Sequence, residues 1–197
     1  MERSIAVHES DIARQDYADR WSKDLIGGPQ IPTTSGFSLG IAEYHQPEFG
    51  EVQVHDDLEE LYVVSGAGQI RVGDEFFDAK PGVTLRVGPG TKHCTRRTAE
   101  APVCLVYSHG QPGDQDLPVT ETSMGVSTAE SEEFGTAQAH DDHEALFVIS
   151  GEGQIQVGDG VIDVRPGTAV YVPPGMPHAR RCTGPQPLRT LFAHAAV

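Results

Sequence analysis

The chain has 197 residues, of which 29 are acidic and 14 are basic, and its formal charge is -15 at pH 7. This charge would repel phosphate backbones and no basic stripe offsets it, so the composition argues against a nucleic-acid partner. The sequence has no signal-length apolar start, no run of about 18 apolar residues and too few cysteines for a disulfide framework. We therefore expect a cytoplasmic protein with free thiols and no membrane segment.

Residues 1–35 form the first predicted element, a short N-terminal helical arm. The stretch 10–25 favours an acidic helix because Trp21, Leu25 and other apolar residues fall partly on one side, and Gly-Gly-Pro at 27–29 would end it. We expect this arm to pack across the β-domain that follows or across a partner subunit. Simple disorder is the alternative, and Trp21 favours packing.

From Gly36 onward, short apolar runs separated by Gly, Pro and Asp predict strands. The runs are Leu61–Val64, Gln69–Val72, Val83–Val87, Val103–Tyr107, Leu146–Ile149, Gln154–Val157, Ala169–Val172 and Leu188–Phe192. The turns at Gly73 and Gly158 predict tight hairpins, because glycine tolerates the positive backbone angles that such turns need. Many short strands at regular spacing imply an all-β sandwich or barrel.

The chain repeats itself at an offset of 85 residues. The stretches 55–93 and 140–178 are identical at 21 of 39 positions, which predicts a duplicated domain. We divide the chain into a first domain at 36–112 and a second at 113–197, with a linker at 110–118. Because each unit is small for a core of its own, we expect intimate packing of the halves or exchange of a terminal strand. A homodimer is also compatible with such small units.

The repeated residues include the types that bind metals. Each copy has a histidine, a glutamate four residues later and a second histidine 34 residues after the glutamate. A glutamine two residues before the first histidine shares its strand face and could add a weak fourth ligand. The candidate ligands are Gln53, His55, Glu59 and His93 in the first copy and Gln138, His140, Glu144 and His178 in the second. Two imidazoles and one carboxylate are typical of non-haem Fe(II) centres, which leave positions open for substrate and dioxygen.

At these residues the chain resembles the cupin superfamily. The first cupin motif is usually His-x-His, a Glu three or four residues on, and a Gly after six more; the second is Gly-x5-Pro-x-Gly-x2-His. The matching positions are Gln53, His55, Glu59, Gly66, Gly82, Gly90 and His93 in one copy and Gln138, His140, Glu144, Gly151, Gly167, Pro173, Gly175 and His178 in the other. The resemblance implies two tandem cupin barrels of the double-stranded β-helix or jelly-roll type. It also implies one divalent metal in each active barrel.

The chain departs from the family pattern at three places. Gln53 and Gln138 replace the usual first histidine, and because an amide oxygen is harder and less basic than imidazole, the site should favour Fe(II), Mn(II), Ni(II) or Zn(II) over copper. Among these we favour Fe(II), because two imidazoles and one carboxylate are typical of its non-haem centres. Gly88 replaces the proline of the second motif, so if one copy has lost its metal we expect it to be the first. The usual asparagine after the last histidine is Arg97 in one copy and Cys182 in the other.

Two further pairs of residues are candidates for the reaction itself. His109 and His194 end the last apolar strand of each copy and could act as catalytic acids or bases, with a structural histidine as the alternative. Arg97 and Arg180 fall at predicted inward positions, where a guanidinium could bind a substrate carboxylate. A surface arginine is the alternative for that pair.

Other polar and aromatic residues are given structural roles. The aspartate pairs at 56–57 and 141–142 are interpreted as solvated turns, and His143 is expected to be exposed. The aromatic residues expected in the core are Tyr62, Tyr107, Phe147, Tyr171 and Phe192.

Three functional hypotheses follow from the resemblance. The favoured one is a metal-dependent, dioxygenase-like oxidoreductase that acts on a small organic, carboxylate or polyketide-like substrate. A Lewis-acid isomerase, cyclase, decarboxylase or lyase would use the same ligands, with His109 or His194 moving protons, and no residue separates these two. A non-enzymatic cupin that binds a small ligand is the third.

Overall fold

The computed structural model describes residues 5–111, 118–120 and 122–197, and these residues form 17 β-strands and one 3-10 turn, Glu9–Asp11. In chain order the strands are β1 (Ala6–His8), β2 (Gln15–Asp16), β3 (Arg20–Ile26), β4 (Ser38–Tyr44), β5 (Leu58–Ser65), β6 (Gly68–Val72), β7 (Glu75–Ala79), β8 (Thr84–Val87), β9 (His93–Arg97), β10 (Val103–Gly110), β11 (Gly125–Ala129), β12 (His143–Ser150), β13 (Gly153–Val157), β14 (Gly160–Val164), β15 (Thr168–Val172), β16 (His178–Cys182) and β17 (Leu188–Ala195). Most of the predicted linker at 110–118 lies outside the described residues.

The strands build two barrels of the same design, which confirms the predicted all-β, two-barrel fold. In the first barrel a large sheet, ordered β2-β3-β4-β10-β5-β8, faces the small sheet β7-β6-β9. In the second, β1-β15-β12-β17-β11 faces β14-β13-β16. Both predicted hairpins are present, with φ of 60° at Gly73 and 57° at Gly158. No helix among the described residues is long and apolar enough to cross a membrane.

Strand alternation separates the two faces of β5 and β12. Glu59, Leu61 and Val63 point to the interior of the first barrel, whereas Tyr62 and Val64 pack in a second core between the barrels. β12 repeats this pattern, so each glutamate of the first motif points inward.

A shared core joins the two halves, as the small size of each unit predicts. It is formed by residues of both repeats, including Phe37, Leu39 and Tyr62 from the first and Phe147 and Leu191 from the second. Burying each large apolar side chain contributes about 1.5–3 kcal/mol relative to exposure. The two halves therefore pack against each other and are not independent domains joined only by a linker.

The prediction of an N-terminal helix is wrong, because this segment forms strands. The stretch 10–25 contains β2 and most of β3, and β3 pairs with β4 in antiparallel register. The open edge of β4 satisfies the backbone groups of β3, so tertiary context overrides the weak helical pattern. Trp21 does pack, against the shared core, and its Nε1 donates a hydrogen bond to Glu43 at 3.1 Å.

Each barrel forms hydrogen bonds at its edge with a segment that lies just before the other barrel in the sequence. β1 pairs with β15 of the second barrel, and the Ile5 carbonyl accepts a hydrogen bond of 2.7 Å from the amide of Tyr171. At the equivalent place in the first barrel, the Val119 carbonyl accepts one of 2.6 Å from the amide of Arg86. The expected exchange of a terminal strand is therefore present for β1, and an internal segment takes the equivalent place in the first barrel.

His143 is buried, contrary to the exposed position that we expect from the sequence. Its side chain is 1% exposed and stacks on Phe37 of the first half, with ring centroids 5.5 Å apart. Nδ1 lies 2.8 Å from the Tyr171 hydroxyl and Nε2 lies 3.2 Å from Thr34 Oγ1. The prediction fails because the covering residues come from the other repeat, and this burial lowers the pKa of His143.

Candidate metal centres

The same strands carry the candidate ligands in both barrels. Glu59 and Glu144 lie on β5 and β12 and are buried, and His93 and His178 begin β9 and β16. The segment before β5 returns to β9 through a backbone bridge between Gln53 and His93, and its counterpart joins Gln138 to His178. This bridge holds His55 and His140, two residues further on, over the barrel mouth.

In the first barrel the Glu59 carboxylate lies among three imidazoles. Its Oε2 is 2.8 Å from His93 Nε2 and 3.7 Å from His55 Nε2. Its Oε1 is 3.8 Å from His109 Nε2. The structure thus brings together His55, Glu59 and His93, the predicted triad, and adds His109 to it.

The second barrel repeats this arrangement closely. Glu144 Oε2 is 2.9 Å from His178 Nε2 and 4.0 Å from His140 Nε2. Glu144 Oε1 is 3.8 Å from His194 Nε2. The two copies therefore preserve geometry as well as residue type.

The buried polar atoms of both sites fit a cation. Nε2 of His55, His93 and His178 and Oε2 of Glu59 and Glu144 are buried without a hydrogen-bond partner among the described residues. The short approaches between glutamate and histidine lack hydrogen-bond alignment, so these groups are close without satisfying each other. Buried polar atoms are normally paired, and a divalent cation held by imidazole nitrogens and a carboxylate oxygen would satisfy all of them.

Both glutamates are held in the ionised form. Burial raises the pKa of Glu59, but its histidine neighbours, His93 first, outweigh burial and hold the pKa below its ordinary value. The same balance, with His178 first among the neighbours, lowers the pKa of Glu144. A metal-binding carboxylate must be deprotonated, so each site offers the form that a cation needs.

The two glutamines have different surroundings. The amide nitrogen of Gln53 donates a hydrogen bond of 3.1 Å to the Tyr44 hydroxyl. Gln138 is exposed, and the position equivalent to Tyr44 is Ala129. The role of both glutamines as metal ligands stays a prediction.

The cavity beside the first site is small and lined by the N-terminal strands. It has a volume of about 170 Å³ and is bounded by Arg20, Asp24, Tyr44 and Tyr107, among other residues. Arg20 donates to the adjacent Asp19 at 2.9 Å, and its guanidinium lies 4.2 Å from the Tyr17 ring centroid. Sequence reasoning missed Arg20 because it precedes the repeat and carries no motif.

The cavity beside the second site is larger, with a volume of about 440 Å³, and reaches Gln138 and His178. Arg180 lines it and donates to Thr190 Oγ1 at 2.6 Å, as expected for an inward position. Arg97, its predicted counterpart, donates instead to the carbonyls of His45 and Ala99 and is not among the residues that line the first cavity. The structure therefore places a predicted arginine beside one site only.

The aspartates of the first motif have more specific contacts than a solvated turn provides. Asp57 Oδ1 lies 3.1 Å from His109 Nδ1, and Asp142 Oδ2 lies 3.3 Å from His194 Nδ1. All four residues recur at the offset of 85, which is the signal that could have identified the pairs from the sequence.

Two tandem barrels, each with an inward carboxylate among imidazoles, define the class of protein. Residues 40–109 and 126–194 match the family model described as the cupin domain. These segments cover more than half of the chain, so the chain belongs to the cupin family. No curated protein matches the chain.

Solved structures with the same architecture include oxalate decarboxylase from Bacillus subtilis. A single-residue variant of that enzyme has a TM-score of 0.82 at 13% identity, over 100% of this chain and 78% of that chain. A second variant gives 0.79 at 13% identity, over 100% and 79%. A structure from work on the Mn(II) centres of the same enzyme gives 0.82 at 13% identity, over 100% and 78%. At this identity the similarity shows the fold.

Proposed function

We propose that the chain is a metal-dependent bicupin enzyme that transforms a small organic carboxylate in its second barrel. The observation that supports this proposal most directly is His178, whose buried Nε2 has no hydrogen-bond partner among the described residues and lies 2.9 Å from Glu144, at the wall of a cavity that Arg180 also lines. A divalent cation and a guanidinium in one enclosure suit an anionic substrate better than a neutral one.

The residues that would hold the cation are the two equivalent sets of the repeat. Each set has the predicted His, Glu and His, with the preceding glutamine as a weak further donor. When bound, the cation supplies Lewis acidity, and as Fe(II) it also supplies the capacity to activate dioxygen. Fe(II) is favoured by the ligand types, and the Mn(II) centres of the structurally similar decarboxylase make Mn(II) the next candidate.

Arg180 binds and orients the substrate in this proposal. Its hydrogen bond to Thr190 fixes one part of the guanidinium, and the remaining N–H groups are available for a bidentate contact with a carboxylate. Leu146 adds an apolar wall to the same cavity. Such a wall excludes water and strengthens the charged contact.

Oxygenation is the reaction that we favour, and decarboxylation or another lyase reaction without dioxygen is the second candidate. The ligand types favour the first, and similarity to oxalate decarboxylase favours the second. The two differ in their demand for dioxygen, because the first consumes it in proportion to product.

The test uses the full chain reconstituted with Fe(II) or with Mn(II). Metal content is measured by elemental analysis in the native chain and in a His140→Ala/Glu144→Ala variant. We expect the variant to lose one equivalent, and an unchanged content would contradict the metal site. Small carboxylic acids are then assayed in an oxygen electrode. Turnover with oxygen uptake supports oxygenation, turnover without it assigns the lyase class, and no turnover of any acid contradicts the carboxylate proposal.

A further inference from the structure

The last strand of each barrel carries a histidine that belongs to neither cupin motif. We propose that His109 and His194 are metal ligands that replace the imidazole missing from the first motif, and that Asp57 and Asp142 are positioning residues for them. This inference rests on the proposed metal binding and changes the assignment of these histidines from proton transfer to ligation.

Strand register directs both histidines to the site. His109 lies opposite Glu59 in the β10–β5 pair, and His194 lies opposite Glu144 in the β17–β12 pair. Residues directly opposite each other across antiparallel strands have their side chains on the same face. Because the glutamates point into the barrels, the histidines point there too.

In each barrel the last-strand histidine shares a cluster of potential ligand atoms with the first-motif histidine: His109 with His55 and Asp57, and His194 with His140 and Glu144. In the second barrel the ligand atoms of His140, Glu144 and His194 all lie within 4.8 Å of one another. The His140 and His194 rings meet edge to face with centroids 5.1 Å apart. The first barrel repeats this contact between His55 and His109 at 4.9 Å. In each site one glutamate oxygen faces the second-motif histidine and the other faces the histidine of the last strand.

In the first barrel Asp57 determines which nitrogen of His109 is available, and in the second barrel Asp142 Oδ2 approaches His194 Nδ1 to 3.3 Å without a hydrogen bond. His109 Nδ1 is hydrogen-bonded to Asp57, which leaves a lone pair on Nε2 when the ring is neutral. Metal-bound histidines usually donate their other ring N–H to a carboxylate in this way, which fixes the tautomer and the ring orientation. A free lone pair on Nε2 suits a metal ligand or a general base, whereas a general acid would need a proton on that nitrogen.

The donor count favours ligation as well. With the last-strand histidine, each site has three imidazoles and one carboxylate, and the glutamine need not bind the metal. The histidine lost from the first motif would thus be compensated from a different strand, and in both copies.

The test compares metal binding in variants of one background. The double substitution Glu59→Ala/His93→Ala removes two of the proposed ligands of the first site, so the signals come from the second barrel. In this background we compare His194→Asn with His140→Asn as the positive control. The negative control is His45→Asn, whose ring lies 3.6 Å from Glu43 and is outside the clusters of potential ligands. Mn(II) affinity is measured by equilibrium dialysis, and the number of imidazoles on bound Co(II) is measured by X-ray absorption. Thermal melting of the metal-free proteins checks the fold.

We expect His194→Asn to weaken Mn(II) binding by more than about 10-fold, since even residues that only orient a ligand cost about 10–100-fold. Bound Co(II) should also lose one imidazole. Asp142→Asn should weaken binding but keep the imidazole count, and it serves as the second variant if His194→Asn does not fold. Unchanged affinity and imidazole count in His194→Asn, with loss in His140→Asn, would overturn this inference and leave the proposed metal site standing. If neither the native chain nor the background variant binds Mn(II) or Co(II), both this inference and the proposed metal site would be overturned.

Discussion

The two barrels keep the same ligand geometry but differ in what surrounds it. β3 covers the outer edge of β4 in the first barrel, and its side chains line the small cavity there. In the second barrel, no strand among the described residues covers the outer edge of the equivalent β11, and the cavity is larger. The arrangement of the candidate ligands is the same in both copies, whereas the cavities beside them differ. We therefore expect the second barrel to carry the chemistry.

The largest expected effect is the loss of turnover when the glutamate of the second barrel, and not that of the first, is replaced. Glu144→Ala should lower turnover more than about 100-fold, because loss of a ligand exceeds the cost of losing a residue that orients one. Glu59→Ala should keep most of the activity. Both variants are assayed with metal content measured in parallel, and a larger loss for Glu59→Ala would reverse the assignment of the active barrel.

The next largest effect concerns the contact between the barrels. Phe37→Ala should lower the free energy of unfolding by about 3 kcal/mol, since it removes a fully buried ring from the shared core. Phe49, whose ring meets the exposed Phe76 in a tilted contact with centroids 5.6 Å apart, provides a matched control, and Phe49→Ala should cost clearly less. Denaturant unfolding of both variants measures the difference. A loss for Phe37→Ala that is no larger than a small loss for Phe49→Ala would contradict the predicted contribution of the shared core.

A smaller effect distinguishes the two predicted arginines. Arg180→Leu should raise the KM for a carboxylate substrate about 30-fold, which corresponds to the loss of a charged hydrogen bond worth about 2 kcal/mol. Arg97→Leu should leave the KM unchanged, because that guanidinium binds backbone carbonyls away from the cavity. The comparison fails if the two variants give the same KM.

The smallest effect comes from the position where the repeats differ beside the ligand glutamate. His143→Leu introduces the residue that the first repeat has at this place, Leu58, and leaves the Tyr171 hydroxyl without this partner. We expect a loss of about 1 kcal/mol in unfolding free energy. Tyr171→Phe should cost a similar amount, and the double variant should cost less than the sum of both. Strict additivity would contradict the hydrogen bond.

Much of this architecture could be predicted from the sequence because the strand pattern and the candidate ligands occur twice at a constant offset. Repetition identified Glu59 and Glu144 as inward residues, and alternation along β5 and β12 explains why they face the interior. Where one half covers the other, the sequence gives no such signal. The helical arm and the exposed His143 were wrong for this reason, since the edge of β4 and the ring of Phe37 decide those positions. Arg20 lies outside the repeat and has no counterpart to compare.

The crossed segments at Ile5 and Val119 bear on the order in which the chain folds. The strands of the first barrel are synthesised before Val119, the residue that hydrogen-bonds to Arg86 of β8. The second barrel pairs with β1, which is synthesised at the start of the chain. Closing a long loop costs little more entropy than closing a short one, but neither barrel reaches its final hydrogen bonding alone. Folding and unfolding should therefore be a single cooperative event, and a chain cut between the repeats would leave two halves that each lack an edge.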